Sequence, residues 1–161
     1  MFDLINGVPL HPLVVHAIVV LLPLATLGTI AIALRRAWRL SYGPLVVAAA
    51  VLSTVLIPVA TSSGEALERR VGDPGRHAQL GDQLIYVAVP LLVLSAALVW
   101  LEWRHERRGV AVSSRTLTHV VAGLAVVAAL ASTVQVYRVG DSGARAACAD
   151  VPAPRSAPAG N

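Results

Sequence analysis

Four long apolar stretches determine what this chain can fold into. Each is about 18–22 residues long, the length of helix that crosses roughly 30 Å of hydrocarbon. They are Leu13–Leu34, Pro44–Thr61, Leu84–Leu101 and Leu117–Tyr137. The connections between them are short, which makes consecutive helices antiparallel neighbours. The sequence therefore predicts an all-α integral membrane protein, a four-helix up-down bundle with a short amphipathic segment between helices 2 and 3.

The predicted organisation is one membrane domain and a tail. We expect residues 1–148 to form the four-helix transmembrane domain, because a chain of 161 residues with four spans has no room for a separate soluble domain. The tail at residues 149–161 is rich in Pro and Ala without periodicity, and such a composition predicts disorder. No Lys or Arg precedes the first span and no cleavage-site pattern follows it, so we expect a retained helix rather than a signal peptide.

Charge and cysteine content exclude several classes of protein. Charged residues are 14% of the chain, against about a quarter in soluble domains, and they are missing mainly from the spans. The net charge of +4 comes with no basic patch interleaved with aromatic residues, so nucleic acid is not a predicted partner. The lone Cys148 can form neither an internal disulfide nor a metal motif by itself.

The arginines and aromatic residues predict an orientation. Arg35, Arg36 and Arg39 follow the first span while none precedes it, which places the first connection in the cytoplasm and both termini outside. The all-arginine usage of the 13 basic positions favours a bacterial plasma membrane protein from a GC-rich genome. Three tryptophans fall at the cytoplasmic ends of the predicted helices, as interfacial anchors do: Trp38, Trp100 and Trp103.

Histidines at the outer ends of the helices are the candidate binding residues. His16 lies about one turn inside the first span, where an ionisable side chain needs a partner or a function. His11 lies at the start of that helix, and His77 precedes the third span. The alternatives are an interhelical hydrogen bond for His16 and a capping role for His11. His105 and His119 belong to the opposite end, with His119 roughly 20 Å from His16 along the bundle.

The polar segments at this outer end could complete a site. Ser63–Val71 has the pattern of a short amphipathic helix, and the connection from Ser63 to Asp82 would act as a lid that brings His77 towards His11 and His16. The alternative is a solvated surface segment. Supporting roles are predicted for Asp82, Asp141, Arg138 and Arg145, with local capping and turn formation as the simpler interpretation. No catalytic motif is present, so the sequence names no catalytic residue and leaves an enzymatic activity open.

The chain resembles a bacterial family called domain of unknown function 2231. The similarity rests on His11-Pro-Leu-Val-Val-His16, on Ser63-Gly-Glu with His77-Ala-Gln-Leu-Gly, and on Tyr137-Arg-Val-Gly-Asp-Ser-Gly-Ala144. Members of that family are four-span membrane proteins without a settled activity, so the resemblance implies the fold and not a reaction. Some relatives occur beside cytochrome-like modules, which by analogy suggests a redox or haem role.

Three functions remain open from the sequence. The first is a haem- or metal-binding redox module in which His16, with His77 or His11, provides the ligands and a membrane redox protein is the partner. The second is a small proton-linked transporter or channel with His16 as the titrating group, acting as a homo-oligomer. The third is a structural subunit of a larger membrane complex.

Overall fold

A computed structural model describes residues 4–5, 8–72, 75–108 and 112–148. It contains four long helices and one short one, which confirms the predicted all-α class. A two-residue antiparallel pairing, β1 (Leu4–Ile5) with β2 (Val8–Pro9), precedes the first helix. The predicted disordered tail at 149–161 lies outside the described residues. The helices are α1 (Leu10–Leu34), α2 (Gly43–Val71), α3 (Arg76–Asp82), α4 (Leu84–Arg108) and α5 (Val112–Cys148).

The helices run further than the apolar spans. Residues 63–71 continue α2 without a break, so the expected amphipathic helix is the last turns of α2, and the separate helix between the second and third spans is α3. Likewise α5 continues past Tyr137 to Cys148. α2 ends at Val71, and the next residue, Gly72, has a φ of 100°, a conformation that favours glycine. Hydropathy marks where a helix would meet lipid, whereas its hydrogen bonds continue beyond the membrane.

The four long helices pack as a square. α1 packs against α2 and α5, and α4 packs against the same two helices, so α1 and α4 occupy opposite corners. The interior combines many small side chains with a few large apolar ones, such as Leu22, Leu91 and Leu98, and many other large apolar side chains face outwards. Val20, Leu27, Leu45 and Val127, for example, are all more than 60% exposed. An apolar exterior around an interior with many small residues is the arrangement expected when lipid is the solvent.

Four helices meet the length and hydropathy of a membrane span. The most apolar windows of these helices have mean hydropathies between 2.0 and 2.5, yet only 28–39% of each window is buried inside the protein. A soluble protein would not leave so much apolar surface in water. The chain is therefore a multi-pass membrane protein with four spans.

The two ends of the bundle differ in chemistry. One end, which we call the histidine end, contains His11, Ser63, His77 and Ser142. The other, the tryptophan end, contains the short 3₁₀ helix Arg36–Trp38 between α1 and α2, and also Trp100 and Trp103 near the end of α4. α1 and α2 form the first helical hairpin, and α4 and α5 form the second. α1 and α4 run away from the histidine end and α2 and α5 run towards it, so the described parts of both hairpins have the same direction.

The two hairpins are also an internal repeat. Ser53–Thr54 of α2 lies 79 positions before Ser132–Thr133 of α5. Ser63–Gly64 of α2 lies 79 positions before Ser142–Gly143 of α5. Burial follows the same register, since positions 43, 46, 49, 50 and 53 of α2 are buried and so are 122, 125, 128, 129 and 132 of α5. Equal spacing of both residue identity and burial indicates a duplicated unit rather than chance similarity.

The first helix of each hairpin repeats with a register of 66 residues. His11 corresponds to His77, and the buried positions 14, 18, 22, 25, 29 and 32 correspond to the buried positions 80, 84, 88, 91, 95 and 98. The second set spans α3 and α4, which together match α1. Two like-directed hairpins at opposite sides of a square bundle are related by an approximate two-fold axis along the bundle, as in the parallel repeats of some transporters.

Candidate functional site

His11 contacts a Ser-Gly pair of α2 at the histidine end. Its Nδ1 lies 2.9 Å from the carbonyl oxygen of Ala60, to which the Ser63 hydroxyl also donates at 3.1 Å. The ring lies over Gly64, where an added Cβ would be only 3.1 Å from the His11 Cε1 atom. Glycine at this position therefore lets the imidazole reach the helix backbone.

His77 makes the same contact with α5. Its Nδ1 lies 3.1 Å from the carbonyl oxygen of Val139, which also accepts the Ser142 hydroxyl at 2.9 Å. The ring lies over Gly143, where a Cβ would be 2.9 Å from His77 Cε1. The serine oxygens are 3.5 Å and 3.4 Å from Nδ1 of His11 and His77 respectively. The two halves thus hold one histidine each by equivalent atoms.

α3 is fixed to α5 by a further buried hydrogen bond. The side-chain amide of Gln135 donates to the carbonyl oxygen of Leu80 at 3.0 Å, and both residues are buried. This bond ties the short helix that carries His77 to the helix that receives it. A seven-residue helix would be marginal in isolation, so its position depends on such tertiary contacts.

The carbonyl contacts determine which ring nitrogen carries the proton. A carbonyl oxygen can only accept, so Nδ1 is the donor in both His11 and His77. In the neutral ring Nε2 then has a free lone pair. Within the described parts of the chain, no hydrogen bond involves Nε2 of either histidine. Histidines that bind metal or haem iron through Nε2 commonly donate Nδ1–H to a backbone carbonyl in this way.

His16 does not join the other two histidines. It is exposed on α1, and its Nδ1 hydrogen-bonds the carbonyl oxygen of Pro12 one turn earlier in the same helix. His119 is exposed near the start of α5, and His105 is buried at the tryptophan end. Over residues 8–72, 75–108 and 112–148, no three His, Cys, Asp or Glu side chains form a group that could hold a metal ion.

The four predicted supporting residues lie near the histidine end but contact other groups. Asp141 pairs with Arg145 at 3.0 Å on the surface of α5, one turn apart. Arg138 donates to Gln135 at 3.4 Å, and Asp82 is exposed at the end of α3. The side chain that reaches His77 is Ser142, next to Asp141. The sequence signal for it was the 79-residue spacing of the two Ser-Gly pairs.

A buried ion pair holds the tryptophan end together. Glu102 of α4 accepts from Arg36 at 2.6 Å and from Arg39 at 3.1 Å. Arg39 also donates to the carbonyl oxygens of Ile32 and Ala33, which are among the last carbonyls of α1. Its side chain thereby caps the α1 C-terminus, where positive charge is favourable. This cluster fixes α1 to α4.

The family assignment follows from the whole chain. A family model described as "Predicted membrane protein (DUF2231)" matches residues 7–151. The chain belongs to this family. No curated protein and no solved structure matches it. The match covers both hairpins and both histidine contacts, so this DUF2231 protein carries the repeat inside the region that defines the family.

The glycine under His77 provides a test of the contact in this DUF2231 protein. In Gly143→Ala, the new Cβ would displace the imidazole from the Val139 carbonyl. Because alanine also raises helix propensity by about 1 kcal/mol, the lost hydrogen bond should appear as a free energy of unfolding about 1 kcal/mol lower than that of Gly140→Ala, which gains the same propensity without losing a contact. Thermal unfolding in detergent micelles measures the stability. Long-range ¹H–¹⁵N spectra of the histidine rings should show Nδ1–H for His11 and His77, and a changed signal for His77 alone in the variant.

Gly140→Ala is the matched control for this prediction. It lies on the same helix, and a Cβ there has no atom within 4 Å in the described structure. We expect the His77 ring signal to stay unchanged in this variant. An Nε2–H form of His77 in the wild-type protein, or equal ring shifts in the two glycine variants, would contradict the contact.

Proposed function

We propose that this protein is a membrane-embedded binding module in which His11 and His77 present Nε2 to a haem- or metal-type ligand at the histidine end. The observation that carries the proposal is the repeated Nδ1 contact with a backbone carbonyl. A duplicated contact that fixes a tautomer, and leaves the other nitrogen free, is suited to a ligand that needs a neutral imidazole.

The number of donors limits the class of ligand. Each contact offers one histidine nitrogen, and no third metal-ligating side chain joins it among the described residues. A bare zinc ion in a structural site takes four protein ligands, so it fits poorly. Haem supplies four nitrogens of its own and needs only axial ligands from the protein. Haem therefore fits the donor set better than a divalent ion, with His16 as the third candidate ligand.

A redox module in a membrane exchanges electrons with a partner. Under this proposal a second membrane protein, or a second copy of the chain, would receive or supply them. The apolar exterior could accommodate such a neighbour, but the proposal needs only that the histidine end remain accessible. The chain would then act as a binding and electron-carrying module rather than as an enzyme with its own substrate.

Spectroscopy on purified protein tests this function. We expect protein produced with a haem precursor to show a Soret band, and His11→Ala combined with His77→Ala to abolish it. His16→Ala is the control, because its ring is bonded within α1 and exposed. Iron, zinc and copper analysis accompanies the spectrum. Absence of both a Soret band and stoichiometric metal would end the proposal, and loss of the ligand in His16→Ala alone would contradict the assignment of His11 and His77.

The proposed location is a bacterial plasma membrane with both termini outside the cytoplasm. The tryptophan end supports this orientation, since Arg35, Arg36 and Arg39 follow α1 there while no Lys or Arg precedes that helix. We expect alkaline phosphatase fused after residue 148 to be active in bacteria, and the same enzyme fused after Arg107 to be inactive. The reverse pattern of activity would overturn the orientation.

A further inference from the structure

A groove runs between α2 and α4 next to the tryptophan end. Its walls are apolar: Pro44, Val47 and Ala48 come from α2, and Val99, Trp100 and Trp103 come from α4. The volume is about 730 Å³, within the range of sites for small ligands. The groove opens outwards, where the lipid would be. The helices come close at its end because Gly43 has no side chain, and a Cβ there would lie 2.4 Å from Val99 Cγ2.

Two arginines lie at the rim of this groove. The guanidinium carbon of Arg104 is 5.3 Å from the centre of the Trp100 ring, and that of Arg107 is 4.4 Å from the centre of the Trp103 ring. Each arginine follows its tryptophan by four residues, so the side chain leans back over the ring. The stacking holds both cations at the edge of the apolar surface.

Among the described residues, no carboxylate neutralises these rim charges. Glu102, the nearby buried carboxylate, is already bound by Arg36 and Arg39. Arg104 and Arg107 form no ion pair with any carboxylate of the described residues. The groove therefore combines apolar walls with two positive charges that have no carboxylate partner among the described residues. These charges lie at the level of the interfacial tryptophans, where lipid headgroups lie.

We infer that the groove is a binding site for one anionic phospholipid. An acyl chain lies along Val47, Ala48 and Trp100, and the headgroup phosphate meets the guanidinium groups of Arg104 and Arg107. Arginine matches phosphate oxygens through its planar fork of donors. A second copy of the chain related by two-fold symmetry would bring the same cations together, and a neutral lipid would leave its headgroup without a net negative charge to offer them.

The internal repeat indicates one such site per chain. In the first half, the positions that correspond to Trp100 and Trp103 are Leu34 and Ala37, and those that correspond to Arg104 and Arg107 are Trp38 and Ser41. The first half thus has no tryptophan at the two positions that form the groove walls, and no arginine at the two positions that carry the rim cations. The duplicated halves have diverged here, which a merely structural groove would not require.

Native mass spectrometry of the detergent-purified protein tests the charge part of the inference. The probes are phosphatidylglycerol and phosphatidylcholine with identical acyl chains. We expect one phosphatidylglycerol to be retained, with a preference on the order of tenfold over phosphatidylcholine, from two arginines near a headgroup. Arg104→Gln with Arg107→Gln should abolish the preference. Arg35→Gln, which removes the cation over Trp38, should keep it.

A second pair of variants tests the groove itself. Ala48→Phe places a large side chain in the groove and should prevent retention of phosphatidylglycerol. Val127→Phe changes the equivalent exposed position of α5, 79 residues later, and should leave retention unchanged. Equal retention of the two lipids by the wild-type protein would overturn the inference. The inference would also fail if Arg35→Gln reduced the preference for phosphatidylglycerol as much as the double variant does. It would fail as well if Ala48→Phe retained phosphatidylglycerol like the wild-type protein and unfolded at the same temperature.

Discussion

The bilayer as solvent is the constraint on which the rest of the structure depends. In hydrocarbon every backbone N–H and C=O must be bonded internally, so the spans are continuous helices. Lipid tails are as apolar as leucine, so removing leucine from lipid gives little hydrophobic stabilisation, and the helices associate through close van der Waals packing, to which small residues contribute. Ala25, Ala88, Ala125 and Ala129 are accordingly buried, while Val20, Leu27 and Val127 face outwards. Because the helices approach each other closely, side chains of one helix reach backbone carbonyls of another.

Duplication explains why the histidine end has two equivalent contacts. A Ser-Gly pair on the second helix of each hairpin exposes a carbonyl, and a histidine on the first helix uses it. At the tryptophan end the halves differ. Arg36 and Glu102 occupy equivalent positions in the 66-residue register, and they pair with each other at 2.6 Å. Near a two-fold axis a residue meets its own counterpart, where two identical charges would repel, so opposite charges at this position allow the halves to join.

Much of this fold could be predicted from the sequence. The length and hydropathy of the spans required four helices, and the motifs around His11, Ser63 and Tyr137 led to the correct family. The helix ends could not be predicted in the same way, because α2 continues to Val71 through polar residues that no longer meet lipid. Hydropathy does not report backbone hydrogen bonds outside the membrane.

The sequence named the histidines of the candidate site but not the groups that they contact. His16 was selected because of its predicted depth in the membrane. A histidine in a helix can, however, form a hydrogen bond with a backbone carbonyl one turn earlier, and His16 does so with the carbonyl of Pro12. The groups that hold His11 and His77 are backbone carbonyls beside glycines, which no count of ionisable residues can detect. The repeat was visible in the spacing of Ser63–Gly64 and Ser142–Gly143, although only the packed structure shows what those pairs contact.

Whether lipid surrounds the outward-facing residues can be measured directly. A nitroxide label at Val127→Cys, in a Cys148→Ser background and in lipid bilayers, reports which relaxation agent reaches this exposed position of α5. A lipid-covered surface predicts strong relaxation by molecular oxygen, which partitions into hydrocarbon, and little relaxation by a water-soluble nickel chelate. Strong relaxation by the chelate would mean that water covers this face, and would contradict the membrane-spanning bundle.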